Sequence, residues 1–169
     1  LESMLRNELI SGMWTISYFD EKLIGNPPPP PFLSNLEVFK TLTGMSVSIL
    51  DDGSFGAKWG VEIDGHVITL VDPYKGVNAF NVANFLNSIN SDSYTYIDFS
   101  SGIGNDAIKV GKLVKKPTRI VLVDIPLNLT TAFCYVSHNT PHDCHLVSSS
   151  QELERLMKSP VNRHEFIFV

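Results

Sequence analysis

The sequence has few of the residue types that usually reveal a chemical function. Two cysteines among 169 residues exclude a disulfide-rich scaffold. Thirteen lysines and arginines against 18 acidic residues give a net charge of −5, which argues against a nucleic-acid partner because phosphate binding requires clustered basic side chains. The apolar runs are too short for a membrane-spanning helix, so the sequence predicts no membrane partner.

The N-terminus also lacks a charged-then-apolar leader of the kind that directs secretion. We therefore expect a cytoplasmic protein, although a secreted protein that has lost its leader looks the same. Leu1, Glu2 and Ser3 precede Met4 and are interpreted as a vector remnant. Apolar residues make up 43% and charged residues 18% of the chain, which is typical of a globular protein, and the length suits a single domain over residues 1–169.

No catalytic motif of high specificity is present. Cys134 and Cys144 could each combine with a histidine, but neither has a flanking glycine elbow or a family signature. The segment Gly102–Asp106 contains Gly-x-Gly, which we interpret as a hairpin turn because its neighbours read as strands. The sequence thus predicts a non-catalytic protein without a cofactor.

Strand-like alternation is the clearest positive signal near the N-terminus. After Gly12, the apolar residues Trp14, Ile16 and Tyr18 alternate with polar ones. A period of two residues predicts a strand with one buried face.

A longer antiparallel pattern runs from Met45 to Asp72. Asp64–Gly65 predicts a tight hairpin that pairs Val61 with Ile68, and Asp51–Gly53 predicts a three-residue loop before it. The two registers agree, and both place the same residues on one apolar face: Met45, Val47, Ile49, Phe55, Ala57, Trp59, Val61, Ile63, Ile68 and Leu70. The pattern predicts an antiparallel meander with one apolar and one polar face.

Gly12-Met13-Trp14 and the meander that follows resemble the start of lipocalin-like (calycin) β-barrels, whose family mark is Gly-x-Trp after a short apolar turn. The resemblance covers about the first 72 residues. It implies a mainly β, antiparallel barrel with two or three short helices, in which Gly12 and Trp14 are structural and Trp14 closes one end. A predicted helix from Asn78 to Ile89 interrupts the strands, so an open antiparallel α+β sheet packed on helices is the alternative.

Two further helices are predicted from capping boxes. Ser34–Glu37 begins one that Gly44 ends, and Ser149–Glu152 begins another that Pro160 ends. The five prolines Pro27–Pro31 predict a stiff polyproline II connector. The remaining segments read as strands: Tyr94–Phe99, Ala107–Val114, Arg119–Ile125, Thr130–Val136, Cys144–Val147 and Glu165–Val169.

Potential metal ligands cluster at His138, His142, Cys144 and His145. We interpret this cluster as a solvated hairpin tip, because a structural zinc site usually has ligand pairs at both ends of a loop. A hairpin centred on Asn139 would place Cys134 opposite Cys144, within reach of a disulfide. Two reduced cysteines are the alternative that we favour, and no metal is predicted.

Two functions remain open for such a protein. The first is a binding protein that holds a small hydrophobic ligand inside a curled antiparallel sheet, lined by Phe55, Trp59, Val61 and Ile68. The second is a protein-interaction module, such as an inhibitor or a toxin-neutralising immunity protein, that uses an acidic surface, the proline run or a strand edge.

Overall fold

Helices and strands alternate along most of the chain in this computed structural model, which describes residues 30–53, 55 and 60–169. The helices are α1 (Pro30–Thr43), α2 (Asp72–Ser88), α3 (Asn105–Leu113), α4 (Pro126–Asn139) and α5 (Ser150–Lys158), with a 3-10 turn at Val47–Ile49. The strands are β1 (Val61–Ile63), β2 (His66–Ile68), β3 (Tyr94–Phe99), β4 (Thr118–Val123), β5 (Asp143–Leu146) and β6 (Glu165–Phe168).

Four of these strands form a parallel sheet in the order β3-β4-β6-β5. The strand β4 lies between β3 and β6, and its residues Thr118–Leu122 are all buried. This burial explains the continuous apolar run from Ile120 to Val123, since a strand covered on both faces has no polar side. The central position predicted for this strand is confirmed.

The helices cover the two faces of the sheet unequally. Residues of α2, α3 and α4 pack with Tyr94, Ile120 and Phe166 into one apolar core. Leu156 of α5 packs against Val121 on the opposite face. The chain moves in one direction across the sheet through α3 and α4 and returns through α5, so right-handed crossovers place α5 on the other face.

A second apolar cluster lies in the N-terminal part of the described chain. It combines Phe32, Leu36 and Phe39 of α1 with Leu50 and with Ile68 of β2. The strands β1 and β2 form a two-stranded antiparallel hairpin that pairs Val61 with Ile68, as the sequence predicted. Helix α2 joins the two clusters, because its residues contribute to both.

The predicted fold class is wrong. The described chain is α/β with a parallel sheet and no closed barrel, so neither the lipocalin-like barrel nor the open antiparallel α+β sheet is present in it. The predicted strand Ala107–Val114 is helical in α3 up to Leu113, and the predicted strand Thr130–Val136 lies in α4. The apolar residues of both segments face the sheet. Because the segments are short, this spacing fits the two-residue period of a strand as well as the 3.6-residue period of a helix.

Of the predicted meander, the described residues contain only the last hairpin, β1–β2. Val47–Ile49 is a 3-10 turn instead of a strand, so the loop at Asp51–Gly53 joins no described strand before it. The capping box at Ser34–Glu37 lies inside α1, which begins at Pro30, a position where proline is favoured because its missing N–H has no helical partner. The predicted polyproline II connector is therefore wrong at Pro30 and Pro31, which are helical, and Pro27–Pro29 lie outside the described residues.

Other local predictions are confirmed. The strand Tyr94–Phe99 has the predicted bounds, and Gly44 follows the end of α1 with a φ of 65°. Ser149 caps α5 by accepting a hydrogen bond from the backbone N–H of Glu152. The helix predicted at Asn78–Ile89 exists but begins earlier, at Asp72.

The predicted N-terminal strand lies outside the described residues with Gly12, Trp14, Ile16 and Tyr18, and so do Ala57 and Trp59 of the predicted meander. Within the described ranges, every helix is too short or too polar to cross a membrane.

Candidate functional site

The loop between β3 and α3 has the most unusual backbone of the described sheet edge. We call Ser100–Gly104 the glycine loop. Its φ angles are positive at Ser100 (58°), Gly102 (57°) and Gly104 (79°). The loop lies at the carboxyl end of β3, and ligands of open parallel sheets bind outside the carboxyl ends of the strands.

The two glycines of the loop have different surroundings. A Cβ atom added at Gly104 would lie 2.8 Å from Val136 Cγ2 and 2.9 Å from Leu122 Cδ2, so the loop rests directly on the core. A Cβ atom added at Gly102 would meet nothing within 4 Å. Packing against the core therefore fixes the backbone at Gly104, whereas the space beside Gly102 is open to a ligand.

Asp124 connects the glycine loop to the neighbouring strand. It directly follows β4, and its Oδ2 accepts a hydrogen bond of 2.8 Å from the backbone N–H of Gly102. Its Oδ1 accepts from the backbone N–H of Ile125 at 2.7 Å and from the Asn128 side-chain amide at 2.9 Å. A carboxylate thus stands at the end of β4, beside the loop that follows β3.

The sequence around these residues has the spacing of a nucleotide-binding βαβ unit. Gly102, Gly104 and Ala107 fit Gly-x-Gly-x-x-Ala at the junction of a strand and a helix, and Asp124 follows Gly104 by 20 residues. In such units the glycines allow a tight turn and close approach of a ligand, and the acidic residue binds a ribose hydroxyl.

Three buried polar atoms near the loop have no hydrogen-bond partner within the described part of the chain. They are Asp98 Oδ2, Ser101 Oγ and Asp106 Oδ1. Ser101 is only 7% exposed. Buried polar atoms are rarely left unsatisfied, so three of them beside one loop indicate a place where a ligand completes the hydrogen bonding.

Carboxylates dominate the electrostatics of this region. Burial raises the pKa of Asp98 from its ordinary value of 3.8 to about 6, and the neighbouring Asp106 and Asp124 raise it further while Lys75 lowers it. Burial, Asp98 and Asp106 together raise the pKa of Tyr96 to about 12. The carboxylates of the site repel one another, and a nearby positive charge reduces this repulsion, as Lys75 does for Asp98.

Lys75 of α2 opposes this negative charge. Its ammonium donates a hydrogen bond of 2.6 Å to Asn105 Oδ1 and lies 3.3 Å from Asp106 Oδ2. Asn105 and Asp106 form the first turn of α3, directly after the glycine loop. Helix α2 therefore contributes a cation to the site from the N-terminal part of the described chain.

A buried charge cluster lies one helical turn behind the site. The Lys109 ammonium is fully buried and contacts Asp52 at 2.7 Å and Asp72 at 3.0 Å, and the Tyr135 hydroxyl donates to Asp52 at 3.3 Å. Burial raises the pKa of Asp52 to about 6, although Lys109 lowers it. The two carboxylates keep Lys109 charged, and its pKa lies above the ordinary value. The cluster joins the loop before β1, α2, α3 and α4.

The structure does not bring the predicted ligand-binding residues together. Phe55 packs against the core of the parallel sheet and stacks on His138 with ring centroids 4.1 Å apart. Ile68 is buried in the N-terminal cluster, and Val61 packs against that cluster. Since Phe55 and Ile68 belong to different cores, the described residues form no shared apolar lining, and the binding of a small hydrophobic molecule stays a prediction.

The histidine cluster is dispersed over several elements. His138 lies in α4, whereas His142 contacts His164 with ring centroids 5.1 Å apart, and burial lowers the pKa of both residues of that pair. Among the described residues, no three histidine, cysteine or acidic side chains are placed to hold a metal ion. The predicted hairpin around Asn139 is wrong, because Asn139 ends α4.

Cys134 and Cys144 are free thiols in the structure. Cys134 lies in α4 and Cys144 in β5, where burial raises the thiol pKa to about 11. A thiol with a raised pKa is a poor nucleophile at neutral pH, so Cys144 behaves as a core residue.

The interpretation of Gly102–Asp106 as a hairpin turn is wrong. The segment joins a strand to a helix within a βαβ unit. The spacing of Gly102, Gly104 and Ala107 and the position of Asp124 indicate such a unit. The sequence analysis predicted a strand at Ala107–Val114, however, and so missed the helix that a Gly-x-Gly loop of this kind requires.

The chain matches no protein-family model, no curated protein and no solved structure at a significant level.

Proposed function

We propose that the glycine loop and Asp124 bind a ribonucleoside cofactor that carries no phosphate groups. The observation that carries this proposal is the hydrogen bond from Gly102 N–H to Asp124, which joins the glycine loop to an acidic residue at the end of the adjacent parallel strand. The hydrogen bond lies at the carboxyl edge of the parallel sheet, which is the edge at which ligands of open α/β sheets bind.

Asp124 has the acceptor capacity that a ribose requires. A carboxylate offers about four lone-pair positions, and Asp124 uses three of them in hydrogen bonds within the protein. The remaining position can accept a hydrogen bond from a ribose hydroxyl. The internal hydrogen bonds fix the carboxylate before a ligand arrives, which lowers the entropy lost on binding.

The negative charge of the site favours some classes of nucleoside cofactor over others. A pyrophosphate over the glycine loop would lie beside Asp98, Asp106 and Asp124, and like charges in one partly buried site repel strongly. A neutral 5′ substituent adds no repulsion, and a positively charged one attracts the carboxylates. S-adenosylmethionine combines a ribose with a sulfonium cation and no phosphate, so it represents the class that this site favours.

A sulfonium cofactor implies group transfer. The reactive chemistry belongs to the cofactor, while the protein supplies binding, orientation and electrostatics. The proposal therefore departs from the expectation of a non-catalytic protein without a cofactor.

Calorimetric titration with S-adenosylmethionine, NAD⁺ and ATP tests the proposal. We expect the sulfonium nucleoside to bind and the two phosphate-bearing nucleotides to bind at least about tenfold more weakly, which corresponds to about 1.4 kcal/mol. Asp124→Ala should abolish the binding. Asp143→Ala is the matched control, because Asp143 is a carboxylate at the start of β5 that pairs with Arg163.

Two results would contradict the proposal. Equal binding of the three compounds would remove the argument from charge. Unchanged binding in Asp124→Ala would place the ligand elsewhere.

A further inference from the structure

We propose that Lys75 competes with the positive charge of the ligand and thereby sets how well the site distinguishes a sulfonium nucleoside from its neutral thioether. The inference rests on the proposed function and adds a residue from α2, outside the βαβ unit. Lys75 is thus a specificity residue that acts through the charge of the site.

The contacts of Lys75 place its charge among the carboxylates of the site. Its ammonium contacts Asn105 and Asp106 in the first turn of α3, and it also acts electrostatically on Asp98. Asp98 and Asp106 each have a buried carboxylate oxygen without a partner in the described residues. The internal cation thus neutralises part of the charge that an incoming cation would meet.

The position of Lys75 is held by a reciprocal pairing between two helices. The first turns of α2 supply Asp72 to Lys109 and Lys75 to Asp106, so an acid and a base on α2 meet a base and an acid on α3. The Lys75 side chain is about a quarter exposed, at 27%, and so it is partly shielded from solvent screening. Its charge therefore acts on the site more strongly than that of a surface lysine.

The expected consequence is a change in the ratio of two affinities. Removing the Lys75 charge makes the site more negative, which favours a cationic sulfur and has little effect on a neutral one. A unit charge several ångströms away in a partly buried site changes cation binding by about 3- to 10-fold.

The test compares Lys75→Gln with the unmodified protein by titration with S-adenosylmethionine and S-adenosylhomocysteine. These two probes share the nucleoside and the amino-acid moiety and differ in the methyl group and the charge at sulfur. We expect the ratio of their affinities to shift toward S-adenosylmethionine by about 3- to 10-fold in Lys75→Gln. Lys75→Arg retains the charge and should keep the original ratio.

Lys158→Gln is the matched control for net charge, because Lys158 is an exposed lysine on α5 that pairs with Glu154. It should leave the ratio unchanged.

An equal loss of both affinities in Lys75→Gln would overturn the inference, since it would show that Lys75 binds a group common to both probes. An unchanged ratio would overturn it as well, while leaving the proposed function intact. Failure of both probes to bind any variant or the unmodified protein would instead overturn the proposed function and the inference together.

Discussion

Asp98 is a residue whose ionisation opposes folding. It is paired with Leu122 across β3 and β4, on the sheet face that α3 covers, and it has one unpartnered carboxylate oxygen. Its raised pKa means that the folded protein holds the neutral form more tightly than the unfolded chain does. Residues that serve binding often carry such a penalty, because the ligand and not the fold satisfies them.

Asp98→Asn should therefore stabilise the ligand-free protein and weaken ligand binding. The amide removes the charge that Asp106 and Asp124 repel. At pH 7.5 we expect a gain of about 1 kcal/mol in the free energy of unfolding after allowance for solvent screening, measured by urea denaturation. A loss of stability together with unchanged S-adenosylmethionine binding would assign Asp98 to the fold alone.

Gly104 is fixed by packing as well as by backbone conformation. Gly104→Ala should destabilise the protein by about 3 kcal/mol, because the added methyl group meets Val136 and Leu122 in addition to the strain of a positive φ. Gly65→Ala is the matched control: Gly65 has the same φ of 79° but no atoms within 4 Å of the added Cβ. The control should lose only about 1 kcal/mol. Equal losses in urea denaturation would disprove the close packing.

At the level of elements, α3 connects the parallel sheet to residues in the N-terminal part of the described chain. Its first turn follows the glycine loop and meets Lys75, and its interior carries Lys109 between Asp52 and Asp72. A fully buried lysine is tolerated only because two carboxylates surround it.

Lys109→Met should destabilise the protein by about 3–5 kcal/mol, because it leaves two buried carboxylates without their counter-ion. Lys158→Met removes an exposed i,i+4 pair and should change stability by less than about 0.5 kcal/mol. Chemical denaturation monitored by circular dichroism measures both. A loss below about 1 kcal/mol in Lys109→Met would show that the cluster contributes little.

Some of these elements could be predicted from the sequence and others could not, for a physical reason. Asp64–Gly65, Ser149 and Gly44 act through local backbone chemistry, and each prediction based on them is confirmed. Helices α3 and α4 pack on the sheet through apolar stretches of only a few residues, and tertiary contacts decide whether such stretches become helix or strand. The site was missed for the same reason, because a Gly-x-Gly loop has meaning only when a helix follows it.

Two opposing sets of groups determine how the whole molecule responds to pH. Asp52 and Asp98 have raised pKa values of about 6, so the stability that their protonation adds is fully present below pH 3.8 and is lost as the pH rises through about 6. His142 and His164 have lowered pKa values because of burial, so their contribution is present above pH 6.5 and is lost as the pH falls below that value.

We therefore expect variants of the two sets to differ in how the free energy of unfolding changes between pH 7.5 and pH 5. The double variant His142→Asn/His164→Asn should gain more stability on acidification than the unmodified protein does. Asp98→Asn should gain less. Urea denaturation at four pH values in this range measures the slopes, and parallel slopes in all three proteins would refute the assignment of the titrating groups.

The central claim, that a ribonucleoside binds between the glycine loop and the end of β4, is tested most directly by mapping the site. Amide NMR spectra of the isotope-labelled protein during titration with S-adenosylmethionine report each residue separately. We predict the largest shifts at Ser100–Asn105 and at Asp124 and Ile125, with little change in the hairpin that pairs Val61 with Ile68. Shifts confined to that hairpin, or no shifts at saturating ligand, would contradict the claim.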